Sequence, residues 1–167
     1  MGKDEDISNG KPQSVLFVCT GNIFRSLTAE YALKAGLGAG MSCVVSSAGI
    51  DAKPQSMHAW VQSRLREKGA DPAGHVQRQL TKELVEAADL VIAMGRNHQV
   101  FVREQFGCEV PLFNQICLGL DKPILDLHEV MPDWETDPER ARAYVRSVID
   151  IIWATAPAIL SHLINPF

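Results

Sequence analysis

Val15-Leu16-Phe17-Val18-Cys19-Thr20-Gly21-Asn22-Ile23-Phe24-Arg25-Ser26 decides the fold. Four apolar residues run into a cysteine, a short polar-to-apolar stretch leads to Arg25 and Ser26, and a helical pattern opens at Leu27-Thr28-Ala29-Glu30-Tyr31-Ala32-Leu33. That is the pattern of a buried strand, a tight loop and a helix N-terminus. Such a loop aims several backbone N–H groups at one point, and the helix dipole adds partial positive charge there. Arg25 brings a planar fork of donors to the same point. The product is a cradle for a tetrahedral oxyanion with a thiol at its floor.

The thiol sets this cradle apart from nucleotide-binding loops, which carry Lys and Ser/Thr for phosphates and magnesium. A helix N-terminus and an arginine both favour the thiolate form of a neighbouring cysteine. A thiolate facing a bound phosphate is a nucleophile placed for in-line attack. A bare Cys-x5-Arg reads more simply as the end of a buried strand, because free cysteine commonly serves as a small apolar residue. The strand before Cys19, the Gly21-Asn22 pair inside the loop and the helix start at Ser26 turn the reading to chemistry.

Working outward, 167 residues suit one domain with a full-sized core. Net charge is -4 and no basic tract occurs, which argues against a nucleic-acid partner. The anion must then be held by the local cradle rather than by overall charge. Four cysteines at irregular spacing, with no Cys-x-x-Cys, argue against a disulfide framework and a zinc site, so neither metal nor cofactor is expected. A nucleophilic thiol needs a reducing compartment, which points to the cytoplasm. No secretory signal is read at Met1, and Asp6 stands where myristoylation needs Ser or Thr. The last apolar stretch holds Asp150 and His162 and is expected to fall short of a membrane span.

In chain order, residues 1–13 are polar and aperiodic and read as a disordered tail, leaving residues 14–167 as the domain. Strands are expected at 14–18, 42–46, 89–94 and 110–113, the last one at an edge because it contains Pro111. Ser47-Ala48-Gly49-Ile50-Asp51 reads as a turn. Helices are expected at 26–37, 54–68, 82–88 behind a Thr81 cap, and from the 95–97 turn to Gly107. The last helix starts near Pro138 with Asp137 as N-cap, and Pro157 kinks it. Residues 114–132 read as a long irregular loop, of the kind that often carries function. Strands alternating with helices give a parallel sheet covered on both faces, with ligands beyond the carboxyl ends of its strands.

These motifs resemble the low-molecular-weight protein tyrosine phosphatases. The signature loop of that family is similar to Cys19–Ser26, its second-strand motif to Ser46-Ser47-Ala48-Gly49, and its central block to 74–81 followed by 88–94. The resemblance implies a single-domain three-layer α/β sandwich, with a four-stranded parallel sheet in the order 2-1-3-4. It implies a hydrolase that removes phosphate from protein phosphotyrosine through a phosphocysteine intermediate. Cys19 is then the nucleophile and Arg25 the phosphate clamp, with Thr20, Gly21, Asn22, Ile23, Phe24 and Ser26 forming the oxyanion site. Ser26 would hydrogen-bond the sulfur, and Asn22, Ser47 and His75 would hold the loop open. Asn suits the left-handed backbone that such a cradle needs.

The chain departs from the family pattern at Phe24, where many members carry a second cysteine, at Leu27 in place of a proline, and at Gly95 in place of an aspartate. The Asp-Pro-aromatic acid motif is absent in that form. Its two candidates are Asp133, between Pro132 and Trp134, and Asp137, before Pro138. Helix capping accounts fully for Asp137. Asp133 is therefore the expected general acid, with Trp134 as a wall of the phenyl pocket. Three alternatives are weighed against this reading. An arsenate reductase of the same fold needs two relay cysteines near the third strand, where Met94 stands. A phosphoarginine phosphatase resembles the chain closely but tends to have threonine at the position of Ile23. A non-catalytic oxyanion-binding module would hold phosphate without turnover.

Overall fold

A computed structural model of the chain describes residues 14–38 and 41–164. The expected tail, 1–13, lies outside the described residues. The elements run β1 (Ser14–Cys19), α1 (Arg25–Gly36), β2 (Val44–Gly49), α2 (Ala59–Glu67), α3 (Lys82–Ala87), β3 (Leu90–Ala93) and α4 (Arg96–Phe106). They continue as α5 (Phe113–Leu118), α6 (Leu127–Val130), α7 (Pro138–Thr155) and α8 (Leu160–Ile164). Short 3-10 turns occur at Pro72–Gly74, Trp134–Thr136 and Ala156–Ile159.

The strands form a parallel sheet in the order β2-β1-β3, with β1 central. Because side chains alternate across a strand, β1 feeds two layers. Val15, Phe17 and Cys19 join Ile92, Leu33, Phe113, Val148 and Ile152 on one side. Leu16 and Val18 join Val85, Val91 and Val102 on the other. Leu27, Val61, Leu65, Val145 and Ile149 close the space between α1, α2 and α7.

The expected fourth strand is reduced to one parallel bridge, Ala93 to Leu112, in which the Ala93 N–H donates to Pro111 O at 2.9 Å. Pro111 has no N–H to extend a ladder, and Phe113 turns into α5 to pack against Phe17, with ring centroids 6.2 Å apart. The segment still lies beside β3, but the sheet has three strands among the described residues.

The second strand runs on to Gly49 rather than ending at Ser46. Gly49 stands opposite Cys19, and its N–H and C=O are taken by Arg78 O and Leu80 N. A Cβ at Gly49 would lie 2.3 Å from Thr20 O, so only glycine lets the two strand ends approach this closely. Residues 114–132 are not a structureless loop: they hold most of α5 and all of α6. The last helix follows its sequence signals. Asp137 accepts from Arg140 N at 3.2 Å, Pro138 opens α7, and the helix tightens to a 3-10 turn at Pro157. The 138–163 stretch has the length and hydropathy of a membrane span, but its apolar face packs on α1 and α2. Its Asp150 is ion-paired with Arg64 and Lys68.

Candidate active site

Cys19 ends β1 at the carboxyl edge of the sheet and is only 2 % exposed. Residues 20–24 turn over it, and Arg25 begins α1. Asn22 is the one non-glycine residue with positive φ, 59°, among the described residues. Its side chain is fully buried and fixes the loop from within. Nδ2 donates to Ser26 Oγ at 3.0 Å and to Ser47 Oγ at 2.8 Å, and Oδ1 accepts from Arg78 N at 3.0 Å. His75 Nε2 donates to Asn22 O at 2.7 Å.

The direction of the bonds from Asn22 to Glu30 is fixed. Glu30 carboxylate can only accept, so Ser47 donates to it, at 2.6 Å, and accepts from Asn22. Both protons of Asn22 Nδ2 are thereby spent. With Asn22 donating to Ser26 Oγ, the Ser26 hydroxyl proton is free to point at Cys19 Sγ, 2.9 Å away.

Arg25 is 2 % exposed. Nη1 donates to Ile124 O at 2.8 Å, and Nη2 approaches Thr20 Oγ1 at 3.5 Å. Asp126 and Glu129 supply carboxylates at 3.5 and 3.7 Å. Asp126 also accepts from Leu127 N, as the cap of α6, and lies 3.3 Å from His128 Nδ1. Below the loop, His98 is buried and neutral: burial, reinforced by Arg25, pushes its imidazole down to about 3.

A cavity of about 330 Å³ opens over Cys19. Ile23, Phe24, Trp60 and Leu127 give it apolar walls, while Asp51, Lys53, His58, Asp126 and His128 supply its polar groups. This combination suits a phosphate carried on a flat or apolar group.

The low molecular weight phosphotyrosine protein phosphatase family profile matches residues 14–118. The chain belongs to that family. It is 40% identical over 97 residues to the protein-arginine-phosphatase of Bacillus subtilis, a match covering 56% of this chain and 63% of that protein. It is 33% identical over 93 residues to the low molecular weight protein-tyrosine-phosphatase Ptp of Acinetobacter johnsonii, covering 55% and 63%. Both matches thus span less than two thirds of these relatives' length. Among solved structures, the YwlE arginine phosphatase with a phosphorylated active-site serine superposes with a TM-score of 0.77 at 27% identity, covering 91% of this chain and 96% of that one.

The family's signature loop brings together every expected residue from Cys19 to Ser26, along with Ser47 and His75. Asp133 is not among the residues lining the cavity and precedes the 3-10 turn at 134–136, where its carbonyl accepts from Thr136. Two carboxylates line the cavity, Asp51 and Asp126, and the one beside Arg25 is Asp126. It escaped the sequence reading because 114–132 was taken as structureless, although Asp126-Leu127-His128-Glu129 carries the Asp-x-x-Glu spacing of a capping box. Trp134 stands one layer back, edge-on to His58 and Trp60 with ring centroids 5.9 Å away in both cases, and those two rings line the cavity. His98 and Glu30 were also missed: each is a polar residue on a helix whose partner lies far away in sequence. All four cysteines are free. Cys108 packs on the sheet face opposite Cys19, and burial pushes the Cys117 thiol up to about 12, which leaves it protonated.

Proposed function

We propose that the protein is a cysteine-dependent phosphomonoesterase that hydrolyses phosphotyrosine in proteins, acting in a reducing compartment, the cytoplasm. The observation that carries this reading is the buried Cys19 sulfur, 2.9 Å from a Ser26 hydroxyl whose proton the Glu30–Ser47–Asn22 chain leaves free. A thiol serving only as a core residue has no use for such a chain.

In the first step Cys19 Sγ attacks phosphorus in line, forming the S–P bond as the bond to the aryl oxygen breaks. Arg25 and the loop N–H groups hold the equatorial oxygens, where charge is spread. The aryl oxygen takes a proton from a carboxyl group, for which Asp126 is the candidate that lines the cavity. In the second step the Asp126 carboxylate takes a proton from water. The water oxygen attacks phosphorus, the S–P bond breaks, and the Ser26 hydroxyl receives the returning thiolate. A positioned acid and base of this kind contributes about 10²–10⁴-fold.

The walls favour an aryl ester. Ile23, Phe24, Trp60 and Leu127 can flank a phenyl ring, and Ile23 offers no hydrogen bond to a guanidinium. Phosphoarginine is a second reading because Asp51 and Asp126 put two carboxylates in the cavity and one relative is named for that activity. Phosphate release from aryl phosphate, phosphotyrosine peptide and phosphoarginine peptide, compared side by side, tests the assignment. The expected order places the two aryl substrates ahead. Faster release from phosphoarginine would transfer the assignment, and phosphate binding without any release would leave a binding module.

A further inference from the structure

His98 is fully buried beneath the signature loop, yet the chemistry above gives it no task. Its two ring nitrogens have fixed roles. Nδ1 lies 2.9 Å from the Gly95 backbone nitrogen, which can only donate, so Nδ1 accepts. The single proton of the neutral ring therefore sits on Nε2, which donates to Thr20 Oγ1 at 2.9 Å. Thr20 Oγ1 also faces Arg25 Nη2 at 3.5 Å, another group that can only donate. A hydroxyl has two lone pairs and one proton. With donors facing its oxygen from two sides, the Thr20 hydroxyl must direct its own proton elsewhere. Thr20 lines the cavity beside Cys19 and Arg25, and among the described residues its hydroxyl donates to no protein acceptor.

The surroundings of His98 agree. A Cβ at position 95 would lie 3.3 Å from His98 Nδ1 and 3.1 Å from Asn97 Oδ1, so glycine there gives the imidazole room to fold back onto the backbone. The departure from the family pattern at Gly95 and the placement of His98 form one arrangement.

We infer that the Thr20 hydroxyl is a side-chain donor to the bound oxyanion, adding to the loop amides, and that His98 is the positioning residue that turns it into one. The inference rests on the oxyanion-site reading of the Cys19 loop. It assigns no proton transfer to His98, which stays neutral throughout.

Two pairs of substitutions test it, read by inorganic phosphate affinity from calorimetry and by kcat and KM on an aryl phosphate. Thr20→Val removes the hydroxyl at nearly constant shape and should weaken phosphate binding and kcat/KM roughly tenfold, while Thr20→Ser should stay within about twofold. His98→Gln can place an amide N–H where Nε2 stands and should preserve affinity. His98→Asn reaches only as far as Nδ1, so it keeps the Gly95 acceptor, loses the Thr20 donor and should behave like Thr20→Val. A purely structural role reverses that pair, with Asn restoring and Gln failing, and would overturn the inference. Equal phosphate affinity in Thr20→Val and wild type would overturn it too. Wild type that binds phosphate without releasing it from aryl phosphate would defeat only the phosphatase reading. Wild type that does not bind phosphate would defeat both.

Discussion

Two segments meet at the Arg25 guanidinium, and they are built in opposite ways. The 19–26 loop is specified by its own residues and their immediate neighbours. Apolar side chains drive the strand before it, Asn22 supplies the left-handed backbone at φ 59°, and a helix starts at its end. The 119–137 segment has little of this. It is placed by distant contacts: Ile124 O to Arg25, the Ile124 N–H to Met94 O, and Leu125 O to the Tyr144 hydroxyl. A loop that must aim several N–H groups at one point tolerates few sequences. A segment that must deliver one carboxylate to a cavity wall can do so from many positions. The first region should therefore fail abruptly when altered, and the second by degrees.

Cys19 and Arg25 should show the largest effects. Cys19→Ser should lower turnover of an aryl phosphate by roughly three orders of magnitude or more while phosphate or vanadate still binds. Arg25→Lys should fall nearly as far as Arg25→Ala, because an ammonium cannot form the two-pronged clamp. A lysine variant within a few-fold of wild type would mean that this end of the comparison depends on charge alone.

The second segment is tested by its carboxylates. Asp126→Asn should lower kcat by about 10²–10⁴-fold on substrates with poor leaving groups and much less on good ones. Asp133→Asn should leave both within about twofold, as a change to an exposed loop acid. If the two phenotypes exchange, the acid comes from further along the segment than its contacts with Arg25 suggest.

This contrast also explains what could be read from the sequence. Cys19, Asn22, Arg25 and Ser26 were legible because strand, turn and helix signals converge on one short stretch. The cap of α7 was legible because Asp137-Pro138 is a local signal. The fourth strand was overread: 110–113 has strand composition, but Pro111 breaks the ladder and Phe113 finds a better place in the core than in a strand. Asp133 is marked in the sequence by its flanking proline and tryptophan. What brings Asp126 to the cavity is the approach of α6 to Arg25, a contact between residues about one hundred positions apart. His98 has the same character, since nothing near it in sequence points to Thr20.

Gly49 tests how tightly the first region is fitted. Its Cβ position lies 2.3 Å from Thr20 O and 3.0 Å from Asn22 N, both backbone atoms that cannot swing aside. Gly49→Ala should cost about 1–3 kcal/mol in chemical denaturation and weaken phosphate binding at the same time, because the strain enters through the loop. Gly38 borders on open space, and alanine there should leave phosphate affinity unchanged. If Gly49→Ala is equally silent, the loop is more compliant than its contacts imply.

The smallest expected effect lies in the ion cluster tying α2 to α7, which supports neither loop directly. Arg64 donates from Nε and Nη2 to the two oxygens of Asp150, at 2.8 Å each, and Lys68 Nζ is 3.0 Å from the same carboxylate. The Arg64 hydrogen bonds, with help from Lys68, hold the Asp150 carboxyl down to about 2 against an ordinary 3.8. A carboxyl that is more acidic in the folded chain contributes stability that is fully present above pH 4 and is lost as the pH falls towards 2. The Asp150 side chain is 40% exposed, so water screens the pair, and Asp150→Asn should cost ~0.5 kcal/mol at neutral pH. Chemical denaturation of variant and wild type should give curves that converge between pH 4 and pH 2, with kcat unchanged at pH 7. A gap of constant size down to pH 2 would mean that Asp150 matters through packing and hydrogen-bond shape. A drop in kcat would mean that the α2–α7 junction reaches the cavity through Trp60 and Val61, coupling the cluster to the site after all.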